Sequence, residues 1–282
     1  MSATNDPWQA LIVDDADLPE EVGEWSDDVV TTVLPLAPTG RDDAWPDREG
    51  RVVVVLGATG GAGATTVACG LALALARSGP GTTLIDLDFE FGDTHERWDV
   101  PRHRTLADLV PVLGELRPAH LDLVGYAHPS GVDLCLSPAQ HGASGDWGGD
   151  DVTTLLSCAA RRGPVVVDVG RAAVHHMVAA CAVADTVIVL SPATLRGARR
   201  TRELADRCPT GRVRVMLSGS TGSRPELSSR AFAAACGRPV DVALPTDRRE
   251  ATQLRSGIWR TSRRGVQHQI AAFVETDLHV AR

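Results

Sequence analysis

A chain of 282 residues with 43% hydrophobic content has material for one sizeable α/β domain and an appendage, and its six scattered cysteines, with no C-x-x-C pair, read as reduced buried thiols rather than a metal site. Its formal charge of −8 is uneven: residues 1–50 hold thirteen Asp and Glu against Arg41 and Arg48, whereas residues 51–282 carry 26 arginines against 23 acids. No apolar run approaches the roughly 20 residues that cross a bilayer, and Met1-Ser2-Ala3-Thr4-Asn5-Asp6 lacks the basic start of a secretion signal, so the expected location is the cytosol.

Residues 1–50 come first. Asp14-Asp15, Glu20-Glu21, Asp27-Asp28 and Asp42-Asp43, broken by Pro7, Pro19, Pro35, Pro38 and Pro46, leave too little apolar surface to offset the entropy of ordering, so this tail is expected to be disordered. Trp8, Trp25 and Trp45 sit in it beside the apolar runs at 11–13 and 29–34. Two readings stand, a solubilising tail and a segment that docks on a partner.

The domain is expected over 51–282. It opens with the strand-like run 52–56, followed directly by Gly57-Ala58-Thr59-Gly60-Gly61-Ala62-Gly63-Ala64-Thr65-Thr66. A phosphate-binding loop reads G-x-x-x-x-G-K-[ST]: backbone N–H groups wrap the phosphates, the lysine reaches the outer ones and the hydroxyl ligates Mg²⁺. Gly63 and Thr65 keep their places here, Ala58 replaces the first glycine and Ala64 the lysine. The chain contains no lysine at all, so only an arginine is available as a substitute.

Further β-branched runs lie at 82–87, 132–136, 165–169, 186–190, 213–217 and 240–243, with helical patterns at 65–77, 106–116, 151–161, 174–182, 195–207, 225–236 and 248–256. Strands apolar on both faces and separated by helices predict an α/β fold, a mainly parallel sheet with helices on both faces, like that of P-loop NTPases. Ligands bind such sheets at the carboxyl ends of the strands. The Gly, Ser and Asp of 138–150 read as a flexible surface loop, and the amphipathic stretch from Ile270 to Leu278 as the last packing helix.

Three carboxylates fall where a nucleotide site needs them. Asp86 and Asp88 close the second run, and Asp168 closes the Walker-B-like Val165-Val166-Val167-Asp168. An acid there can hold Mg²⁺ with Thr65 as a fellow oxygen ligand. Asp at a strand end is also a common turn former; the glycine loop beside these acids favours the nucleotide reading.

The loop from Gly57 to Thr66, followed by Asp86-Leu87-Asp88-Phe89-Glu90-Phe91-Gly92-Asp93, resembles the deviant Walker A ATPases of the MinD/ParA superfamily, and within it the CpaE/TadZ branch, whose members often carry alanine at the lysine position. His128-Pro129-Ser130-Gly131-Val132-Asp133 and Leu244-Pro245-Thr246-Asp247 fit the same pattern, and the likeness spans roughly 51–275. The resemblance implies ATP or ADP with Mg²⁺ as cofactors. Gly60, Gly61, Ala62, Gly63, Ala64, Thr65, Thr66, Ser218 and Pro245 would bind the nucleotide, Thr65, Asp86 and Asp168 the metal, and Asp88 would position the attacking water. It implies a homodimer and a protein partner in a pilus, secretion or septum-related machine. The location implied is a pole, septum or inner membrane face reached through partners.

Two departures bear on mechanism. The superfamily's signature lysine, which crosses the nucleotide-sandwiched dimer, corresponds to Thr59, and its adenine-reading asparagine to Ser218. A degenerate ATPase with weak or absent hydrolysis is therefore expected. The arginines leave another reading open: Arg196, Arg199, Arg200, Arg202, Arg207, Arg212 and Arg214 form one group, and Arg248, Arg249, Arg255, Arg260, Arg263 and Arg264 a second. On one face they would bind DNA phosphates as ParA-like partition proteins do; as a solvated helix face, they would pair partly through Arg199 and Glu203.

Overall fold

The β-branched run at 52–56 has no polar face to offer solvent, and in the computed structural model it forms the buried strand β1 (Val52–Gly57) inside a sheet. The structure describes residues 51–79, 81–138, 147–208, 213–219, 226–245 and 265–278. The acidic tail, Arg212, the second arginine group and the helix expected over 248–256 lie outside these residues. The other strands are β2 (Thr82–Asp86), β3 (Gly125–Ala127), β4 (Val132–Cys135), β5 (Val165–Asp168), β6 (Thr186–Pro192), β7 (Val213–Ser218) and β8 (Val242–Ala243). They pair in the order β3-β4-β2-β5-β1-β6-β7-β8. Every pairing is parallel except β3 with β4.

The helices are α1 (Ala64–Ser78), α2 (Thr94–Arg97), α3 (Leu121–Val124), α4 (Gly149–Ala160), α5 (Val174–Val183), α6 (Leu195–Arg207), α7 (Ser229–Cys236) and α8 (Val266–Asp277). Alternation along β1 divides the core. Val52, Val54 and Leu56 pack with Leu155, Leu156, Met177 and Ala180 of α4 and α5, and Val53 and Val55 with Leu71, Leu75, Ile270 and Phe273 of α1 and α8. The sheet is thus covered on both faces, as the alternating sequence pattern predicts. Ile270 and Phe273 are buried, so the last stretch is a packing helix.

The structure differs from the sequence reading in a few places. The stretch 106–116 is a 3₁₀ helix, Leu106–Glu115, with Pro111 inside it; proline has no N–H to donate and its ring clashes with the carbonyl four residues back in an α-helix. The third strand, Gly125–Ala127, is too short for its alternation to register in the sequence. Residues 138–150 are not wholly a surface loop, because Trp147 is 2% exposed and α4 begins at Gly149. Helix α7 starts at Ser229 rather than 225, since the Ser228 hydroxyl accepts the Ala231 N–H at 3.2 Å and caps it. The six cysteines are free thiols, five of them buried.

Candidate functional site

The loop at 57–63 is held by backbone. Ala58 N–H donates to the Leu190 carbonyl of β6 at 2.8 Å, and Ala62 N–H to the Thr59 carbonyl at 3.2 Å. Gly61 and Gly63 take φ of 73° and 94°, left-handed values open to glycine, and Gly63 is the N-cap of α1. No side chain caps that helix. Its first N–H groups and the positive end of its dipole therefore lie at the loop, an arrangement suited to an anion. Ala58 is buried in the core, and Ala64 packs against the apolar layer beneath α1. A methyl group thus stands where the loop's cation is expected.

Asp86 and Asp168 end β2 and β5 and face each other in register, both 1% exposed. Asp86 Oδ1 accepts the Asp88 N–H at 2.9 Å, and its Oδ2 accepts the Ser137 hydroxyl at 3.2 Å. Asp168 accepts the Thr65 hydroxyl and, at 3.3 Å, the Gly170 N–H. Burial raises both carboxyls well above the ordinary range, and the charge of Asp168 pushes Asp86 further in the same direction. Two buried acids side by side either retain protons or hold a cation. Among the described residues no three His, Cys, Asp or Glu side chains converge as a metal cage. The donor set, two carboxylates and a hydroxyl, suits a Mg²⁺ completed by phosphate and water oxygens.

Asp88 lies beyond the end of β2 rather than closing it, because the strand stops at Asp86. The Asp88 carboxylate accepts the Phe91 N–H and the Arg171 N–H, both at 3.0 Å. Thr66 Oγ1 is met at 3.3 Å by Arg97 Nη1, whose guanidinium is gripped by Asp93 at 2.9 and 2.6 Å. The loop residues, Thr65, Asp86, Asp88 and Asp168 therefore form one cluster at the carboxyl edge. Ser218 ends β7 and Pro245 follows β8, at the same edge but on the far side of β6. With strands about 4.8 Å apart, Ser218 stands roughly 10 Å along the sheet from β1. Ser137 and Arg97 escaped the sequence reading; the signal for Ser137 was a hydroxyl just past the run at 132–136, at the strand end beside Asp86.

The glycine of the D-x-D-x-x-x-G-D segment has a steric cause. A Cβ on Gly92 would overlap Ser137 Oγ and lie 2.5 Å from Asp86 Oδ2. Gly92→Ala is expected to destabilise the protein by about 1–3 kcal/mol, the usual range for overpacking, in a urea titration. An unchanged midpoint would mean that this turn relaxes freely.

The arginine group on α6 and β7 is partly engaged. Arg200 pairs with Glu203 at 2.7 Å, a three-residue spacing in place of the expected Arg199–Glu203 pair. Arg214 binds Asp241 and Asp277 at 2.5 and 2.8 Å, and Arg202 donates to the Cys236 carbonyl at 3.3 Å. Arg196, Arg199 and Arg207 are exposed.

No family model matches the chain. The antiactivator FleN of Pseudomonas aeruginosa is 32% identical over 141 residues, covering 46% of this chain and 50% of that protein, so the chain spans about half the length of the curated relative it matches. Among solved structures, a ParA family ATPase from Chlorobium tepidum superposes with a TM-score of 0.72 at 22% identity, covering 83% of this chain and all (100%) of that one. The septum site-determining protein MinD of Pyrococcus horikoshii, solved with Mg-ADP, gives 0.70 at 15% identity over 82% and 98% of the two chains. A single-substitution variant of Cyanothece McdA, solved as its ATP complex, gives 0.65 at 17% over 83% and 98%. With its eight-stranded, mainly parallel sheet and the glycine loop between β1 and α1, the chain has the fold of the MinD/ParA ATPases.

Proposed function

We propose that this chain is a nucleotide-responsive positioning factor of the CpaE/TadZ kind, which binds ATP or ADP with Mg²⁺ and hydrolyses ATP weakly or not at all. The reading rests on an uncapped helix N-terminus and glycine cradle beside the buried Asp86–Asp168 pair, with Ala64 and Thr59 at the two lysine positions. The N–H groups of 60–66 wrap the phosphates, and Ser218 and Pro245 are assigned to the base. Thr65, Asp86 and Asp168 would hold Mg²⁺, which would supply charge neutralisation for the phosphates. Asp88 positions a water. The domain is taken to run over 51–282, preceded by the acidic tail.

The work proposed for it is to place a pilus, secretion or septum-related complex, by contact with a protein partner and as a homodimer. The names of its relatives, a septum site-determining protein and an antiactivator, are in keeping with regulatory placement. The second reading, a ParA-like partition factor, draws on the exposed Arg196, Arg199 and Arg207 of α6. Nonspecific duplex DNA separates the two: binding that falls steeply with salt favours partition, and none at physiological salt favours the positioning role.

Calorimetry tests the nucleotide site. ATP and ADP are expected to bind weakly and only with Mg²⁺, and Thr65→Ala is expected to lose about ten- to hundredfold in affinity, as for a lost charge-assisted contact. No heat of binding for any nucleotide at millimolar concentration would refute the reading.

A further inference from the structure

A chain without lysine that binds phosphate must draw its side-chain cation from an arginine, and two arginines stand at the loop. Arg97 touches Thr66, but both faces of its guanidinium fork are taken by Asp93, at 2.9 and 2.6 Å. Its charge is already matched. Arg171 is different. A Cβ on Gly60 would sit 3.6 Å from Arg171 Nη2, so this guanidinium lies against the glycine loop itself. Among the described residues its side chain joins none of the ion pairs, which use Arg97, Arg162, Arg200, Arg214 and Arg238.

The backbone is shaped to bring Arg171 there. Gly170 has φ of 50°, and a Cβ on it would lie 2.6 Å from Asp88 Cγ, so the chain passes directly against that carboxylate. Arg171 N–H then donates to Asp88 Oδ2 at 3.0 Å. Its side chain turns over the Phe91 ring, with Cζ 4.8 Å from the centroid. A cation over an aromatic face is attracted by the ring's quadrupole. Phe91 is 58% exposed, so the stacked pair stands at the surface.

We infer that Arg171 is the phosphate-binding cation of this loop, supplied within the chain from the turn after β5 in place of the missing lysine. The inference rests on the proposed nucleotide reading and deepens it. Arg171 reaches the loop at Gly60, on the side of Asp88, rather than at Ala64 beside Thr65 and the acid pair. Its planar fork gives paired hydrogen bonds to phosphate oxygens that an ammonium does not. Affinity then depends on the number of phosphates.

The test is calorimetry of the full chain with Mg-ATP, Mg-ADP and Mg-AMP. Arg171→Ala is expected to weaken ATP binding about ten- to hundredfold, the cost of one charge-assisted contact, and AMP binding far less. Arg171→Lys, which keeps the charge and loses the fork, is expected to recover only part of the loss, and Phe91→Ala to show a smaller one. Arg171 is exposed, so a melting curve matching wild type separates binding from folding. Equal ATP affinity in wild type and Arg171→Ala, with Thr65→Ala still impaired, would overturn the inference and leave the nucleotide site standing. Absence of binding in wild type would overturn both.

Discussion

Stripped of divalent metal, the protein is expected to gain stability from one buried acid pair as the pH falls from neutrality towards about 5, against the opposite contribution of His95, His128 and His176, whose burial disfavours their charged forms. The cause is the Asp86–Asp168 pair. Burial raises both carboxyls in the folded state, whereas in the unfolded chain they return to about 4. Between these limits the native state binds more protons than the unfolded state, so stability rises on acidification, by about 1.4 kcal/mol per pH unit for each extra proton. Above the raised values the full penalty of two buried charges is present; below about 4 the pair no longer contributes. Asp86→Asn removes one charge and keeps the shape. It is expected to stabilise the metal-free protein at pH 8 and to flatten the profile, and Mg²⁺ with nucleotide is expected to stabilise wild type but not the variant. Thermal melts in EDTA across the range check this, and a pH profile that Asp86→Asn leaves unchanged would contradict it.

Purified protein is expected to turn over ATP at close to the uncatalysed rate. A cation on transferring phosphoryl oxygens is worth about 10³–10⁵ in rate, and the chain has Ala64 and Thr59 where the family pattern has lysines. Arg171, at Gly60, supplies charge for binding from another direction. Ala64→Lys is therefore expected to tighten nucleotide binding by about ten- to hundredfold while leaving turnover low, since Thr59 still provides no contact across a dimer. Phosphate release under multiple-turnover conditions is the measurement. Rapid hydrolysis by wild type that Asp88→Asn abolishes would contradict this and show that another group supplies the charge.

How much of this was legible in the sequence follows from the range of the interactions. The β1–loop–α1 unit is written in adjacent residues: a β-branched run, glycines where φ turns positive, then an apolar helix. Asp86 and Asp168 were readable as strand ends, but their facing register depends on β2 and β5 pairing directly, which no local pattern encodes. Ser137 reaches Asp86 across 51 positions of sequence. Arg171 lies far from the glycine loop in sequence, and its place on Gly60 comes from the backbone turn at Gly170. The buried Trp147 was hidden in a polar stretch because composition there is dominated by Gly, Ser and Asp. In the run 106–116, Pro111 was the visible warning that an α-helix would not form.

In the proposed nucleotide complex, backbone N–H groups of a lysine-free loop, with the acid pair behind it, hold the phosphates. The most direct measurement is an amide NMR titration of the protein with Mg-ADP. The Gly61, Gly63, Ala64 and Thr65 amides are expected to move most and together, since they line the cradle, and EDTA is expected to reverse the shifts. Shifts confined to other elements, with these four amides unmoved at saturating nucleotide, would contradict it.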